Sequence, residues 1–326
     1  MDILLPVLVG VLVAYVLIYT TLFKGGKFRG NPTLKGKTAV VTGSNTGIGK
    51  ATALDLAKRG ARVILACRNK EKAEAAVFDI RKESGNMEVL FMRLDLASLQ
   101  SVRDFAETFL KTEPRLDLLI NNAGKFRDMT MCLIASGKTE DGFGMAFGVN
   151  HLGHFLLTLL LLDRLKQSES SRVVNVSALL HRLGSLDFNL LNTTKDLVTG
   201  HSSWHAFRAY CHSKLCNVLF TRELANRLEG TNVTCYSLHP GVISTEIGRN
   251  MGLLQKVLFV PMSKLFFLNP EEGSQTTLYC ALQEGLEPLS GRYFSSCALQ
   301  DVSALGRDDA LARKLWEVSE RLCGLS

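Results

Sequence analysis

Short apolar runs that alternate with helical patterns constrain the fold of this chain more than any other feature. Between the runs, segments such as residues 48–59 and 99–111 place apolar residues at three-to-four spacing. The runs themselves are rich in β-branched residues, as buried strands are, and lie at residues 37–42, 62–66, 89–94, 116–120, 172–176 and 233–238. This alternation predicts parallel strands joined by right-handed crossovers and covered on both faces. The sequence therefore predicts a doubly wound α/β domain whose ligands bind at the carboxyl ends of the strands.

The N-terminal segment differs from the rest of the chain. Residues 3–23 contain no charged residue, and as a helix they would extend about 31 Å, close to the hydrocarbon thickness of a bilayer. The leader and the exit through Lys24, Gly25 and Gly26 lack the features of a signal-peptide cleavage site. We therefore expect a transmembrane anchor at residues 1–23 and a basic linker at residues 24–36. A cleaved signal peptide, with a lumenal or secreted domain, is the alternative.

Positive charge is concentrated next to this apolar segment. The net charge is +7. Between Asp2 and Asp55 the chain has six basic residues and no acidic one. The rest of the chain is nearly neutral, which argues against a nucleic-acid partner, because that partner requires a basic face on the folded domain. Bases after the span predict a single-pass protein with its domain on the cytoplasmic side. Sequons at Asn175, Asn192 and Asn232 would be glycosylation acceptors in the lumenal alternative.

A glycine-rich turn follows the first predicted strand. Glycines in such a turn admit a phosphate close to the backbone and let the next helix begin with free N–H groups. The turn comprises Gly43, Ser44, Asn45, Thr46, Gly47, Ile48 and Gly49. It lies between a predicted strand and a predicted helix, as a dinucleotide-binding turn must. An ordinary strand-to-helix turn is the alternative.

Residues at the ends of the next three strands predict how a dinucleotide would be held. An NAD site places an acid about 20 residues after the glycines, whereas this chain has Arg68. A guanidinium favours a 2′-phosphate, so NADP(H) is predicted in preference to NAD(H), unless Arg68 only caps its strand. At the end of the third strand, Asp95 is predicted to contact the adenine and Leu96 to bind the coenzyme. At the end of the fourth, Asn122, Ala123 and Gly124 are predicted to lie against the ribose.

Four polar residues further along the chain are candidates for catalysis. Tyr210 and Lys214 are four residues apart in a helical stretch, so both project from one face. A phenol with an ordinary pKa near ~10 needs a nearby cation at neutral pH, and Lys214 is predicted to lower that pKa. Ser177 ends the fifth strand and should reach the same crevice. Asn150 precedes a fully apolar helical segment and is predicted to be buried.

These motifs together resemble those of the short-chain dehydrogenase/reductases. The match covers residues 37–294 and includes, in order, the glycine turn, Asn121-Asn122-Ala123-Gly124, Asn150, Ser177, Tyr210-x-x-x-Lys214 and His239-Pro240-Gly241. Within the family, the segments NTGIGKATA, ILACRN, FGVNHLGHFLLT and HPGVISTEIGR are similar to the membrane-anchored, NADP-preferring retinol dehydrogenases. The resemblance implies a Rossmann-type fold, a retinoid-like or other lipophilic alcohol or carbonyl substrate, and the endoplasmic reticulum membrane.

The resemblance also implies a role for each matching residue. Tyr210 would be the general acid in reduction and the base in oxidation, and Ser177 would polarise the substrate carbonyl. Lys214 would bind the nicotinamide ribose as well as lower the pKa of Tyr210, while Asn150 would hold a water that links Lys214 to solvent. The nicotinamide would be covered by Pro240, Gly241, Val242 and Thr245. The catalytic domain would span residues 37–305, with a helical tail at residues 306–326.

Three further features leave alternatives open. The apolar residues 251–268 would cover the substrate and dip into the membrane interface, or pack in the core or in a homodimer contact. The pairs His151/His154 and His201/His205 have helix-face spacing without an HExxH pattern, so packing and surface roles are predicted, and no metal. A membrane-tethered dinucleotide-binding scaffold is the alternative to an oxidoreductase, although four intact catalytic residues favour the enzyme.

Overall fold

The computed structural model describes residues 25–124, 137–200, 202–242 and 268–325. Within them an eight-stranded sheet has the order β3-β2-β1-β4-β5-β6-β7-β8. The strands are β1 (Thr38–Thr42), β2 (Arg62–Cys67), β3 (Val89–Arg93), β4 (Leu118–Asn121), β5 (Ser171–Val176), β6 (Val233–His239), β7 (Tyr293–Ser295) and β8 (Ala298–Gln300). The first seven are parallel, and β8 pairs antiparallel with β7. The doubly wound fold and its six predicted strands are confirmed, but β7 and β8 make the sheet mostly rather than wholly parallel.

Helices cover both faces of this sheet. They are α1 (Gly47–Lys58), α2 (Lys70–Ser84), α3 (Leu99–Thr112), α4 (Gly153–Lys166), α5 (Phe188–Thr194), α6 (Ser203–Arg227), α7 (Pro270–Leu282) and α8 (Asp309–Leu322). Successive residues of a strand point to opposite faces. Val40 accordingly belongs to a core cluster with α3, α4, α6 and α8, while Ala39 and Val41 belong to a second cluster with α1, α2 and α7.

The strand order reverses between β1 and β4. Both strands run in the same direction, with Val41 opposite Ile120, but their crossovers lead to opposite halves of the sheet. The crevice beyond their carboxyl ends is the position where doubly wound sheets bind ligands. A buried polar ladder supports this edge, because Asn121 Nδ2 donates to Asn175 Oδ1 (2.8 Å) and Asn175 Nδ2 donates to Thr221 Oγ1 of α6 (2.9 Å).

A π-helical turn, Gly148–Leu152, leads into α4. The helical stretch Met145–Lys166 is long and apolar enough to cross a membrane, but most of it is buried inside the fold. It is therefore a core helix, since its leucines pack against β4, β5 and α6. The predicted anchor at residues 1–23 lies outside the described residues.

Residues on both sides of the predicted 37–305 segment contribute to the core. Trp316 of α8 packs against Phe155, with ring centres 5.0 Å apart, and the Arg227 guanidinium lies 4.3 Å from its ring centre. At the other end, Phe28 meets the ring of Tyr279 edge to face at 6.4 Å. The segments predicted as a tail and a linker are therefore packed onto the domain, and the limits between them stay a prediction.

Candidate active site

The turn between β1 and α1 has the conformation that a phosphate-binding turn needs. Gly43 and Gly47 have φ values of +65° and +59°, in the left-handed region that glycine adopts without a steric penalty. A methyl group on Gly43 would lie 2.9 Å from the Cα of Ala123, whereas one on Gly47 would meet nothing described within 4 Å. The side chain of Thr46 does not cap α1, so the first N–H groups of the helix are left for an anion.

Arg68 lies at the same edge of the sheet as this turn. It directly follows β2, in which Ala66 is paired with Thr42 of β1, and its side chain is exposed. The thiol of Cys67 is buried below the turn, 3.6 Å from Ser44 Oγ. Arg68 therefore follows the strand end at the edge where the glycine turn lies, and a contact of its guanidinium with a 2′-phosphate stays a prediction.

The end of β3 places Asp95 and Leu96 near the same crevice. Asp95 Oδ1 accepts a hydrogen bond from the N–H of Ala97 (2.9 Å), so this carboxylate is held by its own loop. Leu96 is buried, and its carbonyl oxygen would lie 2.8 Å from a methyl group on Gly153. Leu96 therefore packs against the start of α4, and a contact of either residue with adenine stays a prediction.

The hydroxyl of Thr42 joins the ends of β1 and β4. Thr42 Oγ1 accepts hydrogen bonds from the N–H groups of Asn122 (3.0 Å) and Ala123 (2.9 Å). Asn122 Nδ2 in turn donates to the Thr42 carbonyl (2.9 Å) and would lie 2.5 Å from a methyl group on Gly49. The strand end predicted to face the ribose is therefore packed against the glycine turn.

Gly124 marks the point where the end of β4 approaches the catalytic residues. A methyl group there would lie 3.3 Å from Lys214 Nζ and 3.8 Å from Asn150 Oδ1. Any larger side chain at this position would press on both groups. The strand end predicted to contact the coenzyme and the predicted catalytic groups thus lie close together.

The four predicted catalytic residues are brought together around α6. Lys214 Nζ lies 5.5 Å from the ring centre of Tyr210 and donates to the Val176 carbonyl (3.0 Å). Ser177 Oγ donates to the backbone oxygen of Lys214 (2.8 Å). Tyr210, Lys214 and the serine at the end of β5 therefore share the same edge of the sheet.

Asn150 contacts α6 from the π-helical turn that precedes α4. It is fully buried within the π-helical turn, a feature that is frequent at functional sites. Asn150 Nδ2 donates to Ser213 Oγ (2.9 Å), and the Ser213 hydroxyl donates to the Tyr210 carbonyl (2.8 Å). The predicted burial of Asn150 is confirmed, and Ser213 is a partner that the sequence pattern did not reveal.

Burial decides the protonation of the tyrosine and lysine pair. It lowers the pKa of Lys214 from 10.5 to about 8, and it raises the pKa of the Tyr210 phenol, with a smaller contribution from Cys211. Burial raises this pKa overall, and a lowering contribution from Lys214 stays a prediction. The Lys214 ammonium donates to the Val176 carbonyl, while Tyr210 is partly buried, and this loss of solvent disfavours the phenolate.

Two histidines that were interpreted as packing or surface residues have specific buried partners. His154 is 2% exposed, and its ring contacts Thr42 Oγ1 (2.8 Å) and the Asn150 carbonyl (3.1 Å). His151 Nε2 lies 2.8 Å from Ser319 Oγ of α8. The spacing of four residues between Asn150 and His154 was the available signal. Among the described residues, no cluster of His, Cys, Asp or Glu could hold a metal ion.

The segment after β6 lies beside the same crevice. Gly241 has φ +94°, and a methyl group there would lie 2.5 Å from Leu268 Cδ1. The N–H of Leu268 donates to the Val242 carbonyl (2.8 Å), so the end of the predicted substrate-covering segment is fastened to Pro240–Val242. Thr245 and residues 251–267 lie outside the described residues, and their roles stay predictions.

Fold and site together define a nicotinamide-dependent oxidoreductase of the doubly wound class. The short chain dehydrogenase family pattern matches residues 37–196. The chain belongs to the short-chain dehydrogenase/reductase family, as the sequence motifs predicted.

Its relatives extend the match over nearly the whole chain. Dehydrogenase/reductase SDR family member 13 from Bos taurus is 54% identical over 314 residues, which cover 96% of this chain and 80% of the relative. Retinol dehydrogenase 11 from Mus musculus is 51% identical over 307 residues, covering 93% and 92%. The crystal structure of an uncharacterised protein from Mycobacterium Paratuberculosis has a TM-score of 0.70 and 31% identity, covering 92% of this chain and 98% of that one.

Proposed function

We propose that the chain is an NADP(H)-dependent oxidoreductase that interconverts a lipophilic, retinoid-like alcohol and its aldehyde or ketone. The observation that carries the proposal is the convergence of Ser177, Tyr210 and Lys214 on the crevice beside Gly124. Relatives named as retinol dehydrogenases support an alcohol or carbonyl substrate of this kind.

The residues at the strand ends fit a dinucleotide. Gly43 and Gly49 are crowded by neighbouring atoms while Gly47 faces open space, which leaves room for a pyrophosphate at the start of α1. Arg68 would hold the 2′-phosphate, and Asn122, Ala123 and Gly124 would lie along the ribose. When bound, NADPH supplies the hydride to the carbonyl carbon.

The proton in this reaction comes from the residues of the chain. Tyr210 donates its phenolic proton to the carbonyl oxygen, and Lys214, with a pKa of about 8, supplies a replacement near neutral pH. The Ser177 hydroxyl exchanges its bond to the Lys214 carbonyl for one to the substrate oxygen and so orients the carbonyl. Catalysis rests on orientation and on a placed acid.

The burial of the pair favours an enzyme over a scaffold. Lys214 is 3% exposed, and keeping its amine charged out of water destabilises the fold. A protein that only holds a dinucleotide gains nothing from this arrangement. The buried ammonium is therefore better explained by turnover.

The path of the chain supports a membrane location. A methyl group on Gly25 would lie 3.4 Å from Leu268, and Cys297 Sγ contacts the Gly26 carbonyl at 3.2 Å. Gly25, the first described residue, therefore lies close to Leu268, which also packs against Gly241. We propose a single-pass anchor in the endoplasmic reticulum membrane with the domain on the cytoplasmic side. Protease digestion of intact microsomes tests this topology, and complete protection of the domain would contradict it.

A substrate panel tests the proposed activity. Membrane fractions containing the chain are incubated with NADPH and either retinal or short aliphatic aldehydes, with Tyr210→Phe as the inactive variant. Tyr279→Phe makes the same chemical change on α7, away from the crevice, and should keep activity. We expect turnover of the lipophilic aldehyde by wild type and Tyr279→Phe only. Equal turnover by Tyr210→Phe would remove the catalytic role of the phenol.

Coenzyme preference needs a separate experiment. Arg68→Asp replaces the guanidinium with the acid that holds a 2′-hydroxyl in NAD sites, so the NADPH/NADH ratio of kcat/KM should fall. Arg313→Asp makes the same charge change on the exposed face of α8 and should leave the ratio unchanged. If Arg68→Asp also leaves it unchanged, Arg68 does not contact the phosphate.

A further inference from the structure

His154 connects two parts of the crevice that lie on different elements. Its ring is 2% exposed. One nitrogen, Nδ1, lies 3.1 Å from the carbonyl oxygen of Asn150 in the π-helical turn. The other, Nε2, lies 2.8 Å from Thr42 Oγ1 at the end of β1. The ring therefore bridges the catalytic turn and the strand that begins the coenzyme-binding turn.

The partners of the ring fix its tautomer. A carbonyl oxygen can only accept, so Nδ1 carries the proton and donates to Asn150. Burial lowers the pKa of His154 to about 4, and the ring is therefore neutral at physiological pH. In the neutral ring Nε2 is an acceptor, so the Thr42 hydroxyl donates to it.

This direction leaves the Thr42 oxygen free to accept. Its two lone pairs take the N–H groups of Asn122 (3.0 Å) and Ala123 (2.9 Å). The competing contact of Thr42 Oγ1 with the Ile120 carbonyl is longer, at 3.4 Å. One hydroxyl therefore makes one donated and two accepted bonds, which is its full capacity.

Displacement of the Thr42 hydroxyl would reach the glycine turn. Ala123 is packed so closely on Gly43 that a single methyl group there would lie 2.9 Å from its Cα. Asn122 Nδ2 would lie 2.5 Å from a methyl group on Gly49. Because interiors this dense transmit small shifts, the position of the His154 ring sets the position of both glycines.

We propose that His154 is a positioning residue that fixes the catalytic turn carrying Asn150 relative to the coenzyme-binding turn. The proposal rests on the proposed function, since it assumes that a dinucleotide occupies the glycine turn. It assigns His154 two separable effects. The Thr42 contact supports coenzyme binding, and the Asn150 contact supports turnover.

Two substitutions separate these effects. The amide of glutamine reaches the place of Nε2, so His154→Gln keeps an acceptor for Thr42 and loses the Asn150 contact. The amide of asparagine takes the place of Nδ1, so His154→Asn keeps the donor to Asn150 and loses Thr42. We expect His154→Gln to keep the NADPH dissociation constant and lower kcat roughly tenfold, and His154→Asn to raise the dissociation constant roughly tenfold with less effect on kcat.

His151→Gln is the matched control. His151 is buried to the same degree and lies in the π-helical turn, one helical turn before His154, but its ring contacts Ser319 of α8. Its loss should lower the melting temperature while NADPH affinity, measured by equilibrium titration of the folded full-length protein, stays at the wild-type value. If His151→Gln weakens NADPH binding as much as His154→Asn, or if both His154 variants change affinity and kcat by equal factors, the positioning role is refuted.

Thr42 supplies a test that does not alter the histidine. Thr42→Ser keeps the hydroxyl and should bind NADPH like wild type, whereas the isosteric Thr42→Val should raise the dissociation constant roughly tenfold. Equal affinities of these two variants overturn the inference even where His154 variants fail to fold. If wild type itself binds neither NADPH nor NADH, the proposed function fails instead, so the two failures are distinguishable.

Discussion

Replacing the buried Lys214 by methionine should stabilise the protein while removing its activity. The amine is 3% exposed and burial lowers its pKa from 10.5 to about 8. Methionine has similar length and no charge, so it fits the site without the desolvated ammonium. Turnover should fall by about two to four orders of magnitude, as expected when a proton-transfer group is lost.

The magnitude and its pH dependence follow from the pKa of Lys214. One pKa unit corresponds to about 1.36 kcal/mol, so the charged amine destabilises the folded state by about 3 kcal/mol at pH 7. Between pH 8 and 10.5 the unfolded chain binds more protons than the folded one, so wild-type stability rises with pH. Methionine also removes the hydrogen bond from Lys214 to the Val176 carbonyl, and among the described residues only Asn217 Nδ2, at 3.2 Å, still donates to that oxygen. The lost bond costs about 1 kcal/mol of stability.

Lys214→Met should therefore gain about 2 kcal/mol at pH 7, and the gain should disappear near pH 10.5. For a domain of this size that corresponds to a melting temperature about 4–8 °C higher, measured on the full-length protein in detergent. Lys166→Met, on the exposed last turn of α4, should change stability by less than about 0.5 kcal/mol. A Lys214→Met protein that is less stable than wild type at pH 7, or whose gain persists at pH 10.5, would refute the reasoning.

Three further changes test the site and the core. Tyr210→Phe should lower turnover by about 10² to 10⁴-fold while NADPH affinity in an equilibrium titration stays the same; loss of binding would contradict a purely chemical role. Gly49→Ala should weaken NADPH binding at least about tenfold, since its methyl group would lie 2.5 Å from a backbone oxygen; Gly85→Ala, where nothing described lies within 4 Å, should bind normally. Trp316→Ala should lower the free energy of unfolding by about 3–5 kcal/mol in chemical denaturation, and a loss below about 1 kcal/mol would show that α8 is not part of the core.

The strands in the middle of the sheet could be predicted because they are buried on both faces. β1, β2, β5 and β6 consist of almost uninterrupted apolar or small residues, and their bounds agree with the predictions within two residues. β7 and β8 have three residues each, too few to show a period. β7 pairs with β6, which is distant in sequence, and β8 then pairs with β7, so no local pattern indicates that β7 joins the sheet.

The candidate site, like the sheet, could be predicted from the sequence only in part. Spacing along one helix predicted that Tyr210 and Lys214 are neighbours, and strand ends predicted that Ser177 and Gly124 lie close to them. Spacing carries no information about burial, which raises the Tyr210 pKa. The role of His154 was missed for a related reason, because its partner Thr42 lies 112 residues away in sequence.

The direction of the Tyr210 pKa bears on the protonation state from which each direction of the reaction starts. A phenol whose pKa is raised by burial keeps its proton throughout the neutral range, and the oxyanion that develops on a carbonyl substrate is a stronger base than a phenolate. In reduction Tyr210 therefore already carries the proton that it donates. In oxidation Tyr210 must first lose that proton, which burial opposes. Lys214, with its pKa of about 8, is charged at pH 7 and can return a proton to the phenolate. A protonated Tyr210 and a charged Lys214 are the states from which proton donation to a carbonyl begins at neutral pH, and of the two it is the buried charge of Lys214 that destabilises the fold.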